Sequence, residues 1–567
     1  MDQVFLEADA RRTLTALLVA YVAALLVSAV ALLAFDLCYL KIWPHDVMGL
    51  LDAANRLHLG QRIYVDFHSL YGPVVALIPA LGLDIGLKGA LVFAFDAVVV
   101  AGFLLALAVP VLSRRLTLAA ALLLFVYAWL MIVVPLGEGL SYDEITWGTY
   151  YNRHCWAALI ILLVFYVEPL QAGRFSVWLD AGMMALLVLF EIYGKFSFGV
   201  IALGFLAANA AVSPYNRAVS LRALGLVLAV CLVLELAFHF HAAYWRNIAE
   251  YMAKAGTQTF APWRLTSLWI NNAPLILAAF SGLLAARLAG RRSVFDVLFV
   301  VGTIGATVMI RTSIGDDPAG RLVALFVVLV CLGELTRRVP QAACAGGPWA
   351  ARWAHLACLA LTLVLVAPEL GNRIVAVTND AAKVAGIDRR ILKLDTLPGT
   401  PPNLADFAVF KDKGQTLFEL TQATGPAEDA ALTRYRDTRS PAENLTAEEY
   451  MRSIVEGAAL LQTVDYRGHA VQVMEMVNPF TYALGMRPVR NGYPQFWLIG
   501  PYSTDAGKLP TAEQFFSDAD YVMVPRLPFA AAQLINMMKL YGNYLSGHFT
   551  QRGESPHWEL WERKPAA

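Results

Sequence analysis

Charge is scarce in this chain and evenly split. Of 567 residues only 16% are Asp, Glu, Lys or Arg, and 44 cations balance 44 anions. With no basic run and no net charge, neither nucleic acid nor an anionic surface is implied as a partner, and binding has to come from local sites. Cysteine is equally sparse. Cys38, Cys155, Cys231, Cys331, Cys344 and Cys358 show no metal-ligand spacing, and none follows residue 358. The tail therefore holds no disulfide, whichever compartment it occupies. A Gly-rich nucleotide loop is missing, and so is any internal repeat, whether paired halves in the apolar part or a solenoid period in the tail.

What the chain has is apolar sequence. Hydrophobic residues make up 58% of it, concentrated before about residue 368, which reads as a polytopic α-helical membrane protein with a soluble tail. Arg11 and Arg12 precede an apolar stretch over 13–35 that is too long for a signal-peptide core and reads as an uncleaved first span. Further spans are expected over 90–112, 116–135, 156–167, 178–192, 196–212, 223–239, 273–288, 294–310, 322–335 and 353–366, about eleven in all. The segment 73–83 is short and Pro-bounded, and is read as re-entrant or interfacial. With it not crossing, the arginines at tight turns (Arg11/Arg12, Arg114/Arg115, Arg174, Arg217/Arg222, Arg287/Arg291/Arg292, Arg337/Arg338, Arg352) fall on one side, which the positive-inside rule makes cytoplasmic. The expected location is the inner membrane, with the N-terminus cytoplasmic. Residues 1–368 form the membrane module, with a first extracytoplasmic loop over 36–87, and 369–567 a soluble extracytoplasmic α/β domain. In that tail, Thr446-Ala-Glu-Glu is a helix-start signature, 470–474, 521–524 and 557–561 read as strands, and 530–545 as a helix.

Polar chemistry is densest in the first loop, over 46–73. Val47, Leu50, Leu51, Ala54 and Leu57 recur at helical spacing, while Asp52, Asn55, Arg56 and His58 take the other face, and Gly60 is a natural terminator. This pattern predicts an interfacial helix with its apolar stripe in lipid, its polar stripe toward a water-filled cavity, and Asp46 at the cavity mouth. Tyr64, Asp66, His68 and Tyr71 follow, then Gly72-Pro73. An apolar N-terminal span, an outward Asp opening an amphipathic helix, a Gly one helix later, then Tyr-x-Asp and Gly-Pro: this order resembles the GT-C superfamily of integral-membrane glycosyltransferases. It looks like the bacterial members that use polyprenyl-phosphate sugars, such as lipid A aminoarabinose and galacturonic acid transferases.

The resemblance implies an inverting transferase that moves a sugar from a polyprenyl-phosphate carrier to a hydroxyl of a glycolipid, polysaccharide or protein at the membrane surface. It assigns Asp46 as catalytic base, although many members carry Asp-Glu where this chain has His45-Asp46-Val47. A positioned carboxylate that takes the acceptor proton supplies roughly 10²–10⁴-fold. Asp46 is also well placed to cap its helix electrostatically, and the two roles are compatible. A second functional carboxylate is implied in the next outward loop, where Asp143 and Glu144 both qualify. There Tyr150, Tyr151 and Asn152 suit sugar binding, and Arg153 and His154 a lipid phosphate; a polar membrane loop with an aromatic edge is the plain alternative. Lys195, Arg311 and Arg321 are further candidates for the phosphate. Equally, Lys195 has Glu191 at i−4 for an ordinary ion pair, and Arg311 and Arg321 bracket Asp316 and Asp317. No spacing demands a metal, and a divalent cation on these carboxylates stays open. Trp497, Trp558 and Trp561 are available to stack on sugars or to fill a core. The rival class is a transporter or lipid flippase, for which the charges within spans, Asp96 and Glu235 above all, mark a path.

Overall fold

A computed structural model of the chain describes residues 3–34, 38–69, 71–136, 146–171, 174–255, 262–312, 322–339, 348–384, 391–411, 445–496, 498 and 509–565. Fourteen helices lead from the N-terminus to residue 384 among them: α1 Gln3–Ala34, α2 Pro44–His58, α3 Pro73–Asp84, α4 Gly89–Ser113, α5 Leu118–Val133, α6 Tyr150–Leu163, α7 Arg174–Gly194, α8 Phe196–Val212, α9 Pro214–Phe238, α10 His241–Ala255, α11 Pro262–Leu288, α12 Val294–Thr312, α13 Ala324–Arg337 and α14 Pro348–Val384. The chain is a multi-pass helical membrane protein. Seven described helices, α1, α4, α7, α9, α11, α12 and α14, contain stretches long and apolar enough to cross a bilayer. The other four expected spans correspond to the shorter α5, α6, α8 and α13. At 12 residues α3 is shorter still, about 18 Å against a ~30 Å hydrocarbon core.

Buried charge ties one end of the bundle together. Asp180, at the start of α7, accepts from Arg114 Nη1 at 2.6 Å, from Arg115, and from Tyr215 Oη at 2.7 Å at the start of α9. Arg338, just past α13, donates to the carbonyls of Glu168 and Arg115. On α12, Asp296 is held by Arg291 at 2.7 Å and by Tyr166 Oη, also at 2.7 Å. Arg114, Arg115 and Arg291 are thus neutralised by carboxylates inside the fold, which is how charge is tolerated near an apolar bundle.

At the other end the first loop and the tail form one body. α14 does not end near residue 366, where the hydropathy falls, but runs through Pro368 to Val384, so a division at 368/369 cuts a helix. A three-stranded sheet joins the regions on either side of the bundle: β1 (Cys38–Leu40) pairs in parallel with β3 (Phe407–Phe410), which pairs antiparallel with β2 (Ile391–Lys393). The tail's own sheet has the order β5 (Arg487–Pro488), β4 (Ala470–Val473), β6 (Tyr521–Pro525), β8 (Trp558–Arg563), β7 (Phe549–Glu554). Alternation sorts its two faces. Val471, Val473, Tyr521, Met523 and Leu560 pack with the helix Ala447–Leu461, whereas Ala470, Val522, Val524 and Phe549 pack with the helix Ala531–His548. The Thr446 capping box forms as the sequence predicts, with Glu449 N donating to Thr446 Oγ1 at 3.1 Å and Thr446 N to Glu449 Oε2 at 3.0 Å.

The loop helix α2 corrects one expectation. Its apolar stripe does not lie in lipid: Val47, Met48, Leu50 and Leu51 share a core with the tail residues Tyr450, Met451, Ile454 and Phe480. Its polar stripe faces no open cavity either, since Asp52 and Arg56 are fully buried. The amphipathic pattern is real, but a protein surface, not a bilayer, covers it. Trp43 in the left-handed region and Pro44 at the first helical position start the helix. Gly60, at φ +83°, ends it, with Gly60 N donating to Leu57 O and Gln61 N to Arg56 O, both at 2.9 Å.

Candidate active site

Asp46 lies in the first turn of α2, its side chain one-fifth exposed. Three separate stretches converge on it. From the second loop, Gly148 comes so close that a Cβ there would stand 2.8 Å from the Asp46 Cβ. From the tail, Gln495 Nε2 donates to Asp46 Oδ1 at 3.0 Å. The same amide accepts on Oε1 from Tyr71 Oη at 2.6 Å, so Asp46, Gln495 and Tyr71 form a continuous hydrogen-bonded chain. His45 Nε2 is 3.5 Å from Asp46 Oδ1, but burial pushes His45 down to about 3, leaving a neutral ring.

Beyond Tyr71 the site continues toward a cation. The Tyr71 and Tyr151 ring centroids are 4.6 Å apart, and Lys195 Nζ lies 5.8 Å from the Tyr151 centroid while donating to Asn152 Oδ1 at 2.8 Å. Gly72 N donates to Gly194 O at 3.2 Å, which seats the loop on the end of α7. No ion pair joins Lys195 to Glu191. Lys195 N still donates to Glu191 O at 3.0 Å, but at φ −149° and ψ 122° Lys195 lies outside the helix and its ammonium goes to Asn152.

The other expected residues are placed elsewhere. Tyr64, at φ +64°, is buried with its hydroxyl donating to Tyr71 O and its ring against Tyr244, so it braces the loop from inside. Asp66 closes a turn, accepting from Arg62 N at 2.8 Å and Arg62 Nε at 3.2 Å. Slight burial works against it, but those hydrogen bonds and the Arg62 charge hold its carboxyl below the usual range. His68 stacks on Tyr493 at 4.5 Å, with Nδ1 3.1 Å from Asn247 Oδ1. Arg153 and His154 are buried: His154 Nδ1 is 3.6 Å from Asp96 Oδ2, and Arg153 Nη1 donates to Thr146 O of the second loop at 3.3 Å, with its charge in electrostatic range of Asp96. Arg311 is buried over the Trp156 ring at 4.8 Å. Asp143, Glu144 and Arg321, with Asp316, Asp317 and Trp497, lie outside the described residues. Among the described residues no three His, Cys, Asp or Glu side chains form a metal-binding group.

Sequence reading missed Gln495, Tyr450 and Glu475, all from the tail. The Tyr450 hydroxyl is buried, has no hydrogen-bond partner among the described residues, and lies in electrostatic range of both Glu475 and Asp46. Phe529 spans the same space, its ring 4.5 Å from His45 and 5.2 Å from Tyr450. Glu475 accepts from Phe529 N at 2.8 Å and from Met476 N at 3.2 Å. Burial raises its carboxyl to about 7 despite those two bonds. Its protonated form is therefore favoured in the fold, so stability is lost as pH rises from the unfolded value near 4.5 through about 7. The Glu475 contribution to that loss is on the order of 3 kcal/mol. Glu475→Gln is expected to raise the apparent melting temperature at pH 8 and leave it unchanged at pH 4.5. Equal melting of wild type and variant at pH 8 would refute this account.

Comparison with protein-family profiles, with curated proteins and with solved structures finds no match to this chain.

Proposed function

We propose that the protein is an inverting membrane glycosyltransferase of GT-C type. In this reading eleven helices cross the inner membrane, with α5, α6, α8 and α13 among them, and the site opens to the extracytoplasmic side. It takes a sugar from a polyprenyl-phosphate carrier and passes it to a hydroxyl of a glycolipid, polysaccharide or protein. The observation that carries the proposal is the single arrangement that holds the Asp46 carboxylate and the Lys195 ammonium on either side of Tyr71 and Tyr151. Asp46 takes the acceptor proton as its oxygen attacks the anomeric carbon. The bond from that carbon to the phosphate oxygen breaks, its electron pair leaves with the phosphate, and Lys195 stabilises the gained charge. The tyrosine rings give the sugar a stacking wall.

The transporter reading draws less support. Asp96 is enclosed with Arg153 and His154, and Glu235 sits at the end of α9. There it accepts from His241 N at 2.9 Å and pairs with His241 Nδ1 at 2.9 Å, at the start of α10 rather than at mid-bilayer depth.

Mass spectrometry of lipids extracted from gently purified protein tests the donor class. A co-purifying polyprenyl phosphate or its glycoside is expected, and Lys195→Ala is expected to weaken binding of undecaprenyl phosphate to the protein in nanodiscs by roughly tenfold. Ordinary phospholipids alone, with no undecaprenyl phosphate binding on titration, would overturn the assignment.

A further inference from the structure

We infer that Gln495 is a positioning residue, through which the docked tail orients Asp46 and keeps it ready to take a proton. The inference rests on the reading of Asp46 as the base. Gln495 is 5% exposed and is fixed at both ends of its amide. The phenol of Tyr71 donates to Oε1, so the amide nitrogen is the atom turned to Asp46 Oδ1, and a flipped amide would set two acceptors against each other. Its stem rests on α2 at Gly49, where a Cβ would fall 2.6 Å from Gln495 Cγ. A glycine inside a helix costs propensity, and here it provides the seat. The neighbouring backbone is anchored to the tail, with Phe496 N donating to Met476 O at 2.7 Å and Gln533 Nε2 to Phe496 O at 2.6 Å.

An amide N–H donated to a carboxylate favours its ionised form, which is the form a base needs. His45 on its own helix is neutral, Tyr450 approaches from the helix Ala447–Leu461 with Glu475 behind it, Gln495 links it to Tyr71, and Gly148 offers only backbone. Gln495 thus brings a hydrogen-bond donor to Asp46 from the tail, and withdrawal of the tail takes it away.

Labelling by dicyclohexylcarbodiimide, which attacks protonated carboxyls, quantified at Asp46 by peptide mass spectrometry across pH, tests this on the full-length protein. Gln495→Met keeps the shape but not the donor, and is expected to raise the labelling midpoint by about one pH unit. Gln495→Glu is expected to raise it further, because two carboxylates about 3 Å apart share a proton. Tyr71→Phe, which loses only the hydroxyl that orients the amide, should shift it in the same direction by less. Wild-type midpoints in both Gln495 variants overturn the inference; if those variants fail to fold, an unmoved midpoint in Tyr71→Phe does so. The readout needs no sugar donor. A shifted midpoint in a protein that transfers no sugar would therefore retire the proposed reaction while leaving the link between Gln495 and Asp46.

Discussion

Asp46→Asn is expected to lower sugar transfer by about 10²–10⁴-fold while the protein stays folded. Asparagine matches the shape of aspartate and keeps an oxygen to accept from Gln495 Nε2, now 3.0 Å from Asp46 Oδ1, but it takes no proton from an acceptor hydroxyl. The structural loss is small. A carboxylate in the first turn of a helix favours it by roughly 0.3–1 kcal/mol, so the variant should melt close to wild type. Measurement of transfer from a purified polyprenyl-phosphate sugar alongside thermal melting separates the two roles. Wild-type turnover in a folded Asp46→Asn protein would leave Asp46 as a cap and remove it from the chemistry.

The second large effect concerns the joint between loop and tail. Arg56 and Asp52 are fully buried, with Arg56 Nε 2.8 Å from Asp52 Oδ2. Each also reaches into the tail: Arg56 Nη1 donates to Val489 O at 2.9 Å, and Thr481 Oγ1 donates to Asp52 Oδ1 at 2.5 Å. Asn55 Nδ2 adds a bond to Thr481 O at 3.2 Å. Removal of one partner strands a buried charge, at a cost of about 3–5 kcal/mol. Arg56→Ala is therefore expected to melt well below wild type and to expose the segment around 481–495 to proteolysis. A double replacement, Asp52→Leu with Arg56→Met, should be milder than either single change, because no lone charge remains. Proteolysis and melting of Arg56→Ala identical to wild type would show that the pair does not hold the joint.

The bundle was legible in the sequence because a bilayer demands continuous apolar runs, and Gly60 and the Thr446 box announced helix ends through local chemistry. The site was legible only in part. Asp46 and Tyr71 stand out by residue type and position, whereas Gln495 is a neutral amide 449 residues from its partner, in no motif. Asp52 and Arg56 looked solvent-facing because helical periodicity tells polar from apolar faces, not what covers them. β1, β2 and β5, at three residues or fewer, are too short for alternation to declare them, and β3 has four. Lys195 shows the limit of spacing rules: the helix stops at Gly194, and the ammonium goes to Asn152, on another helix, instead of the carboxylate four residues back.

The parallel pairing of Cys38 with Phe407 also governs how the protein is made. A ribosome adding roughly 5–20 residues per second needs on the order of 20–70 s to travel from one strand to the other. Throughout that interval the first loop has been synthesised without the strand, the tail partners of Asp52 and Arg56, or the amide that complete it. A chain halted before its last third would carry Asp46 but neither the β3 strand nor Gln495, so the surroundings of Asp46 are complete only when synthesis is nearly finished.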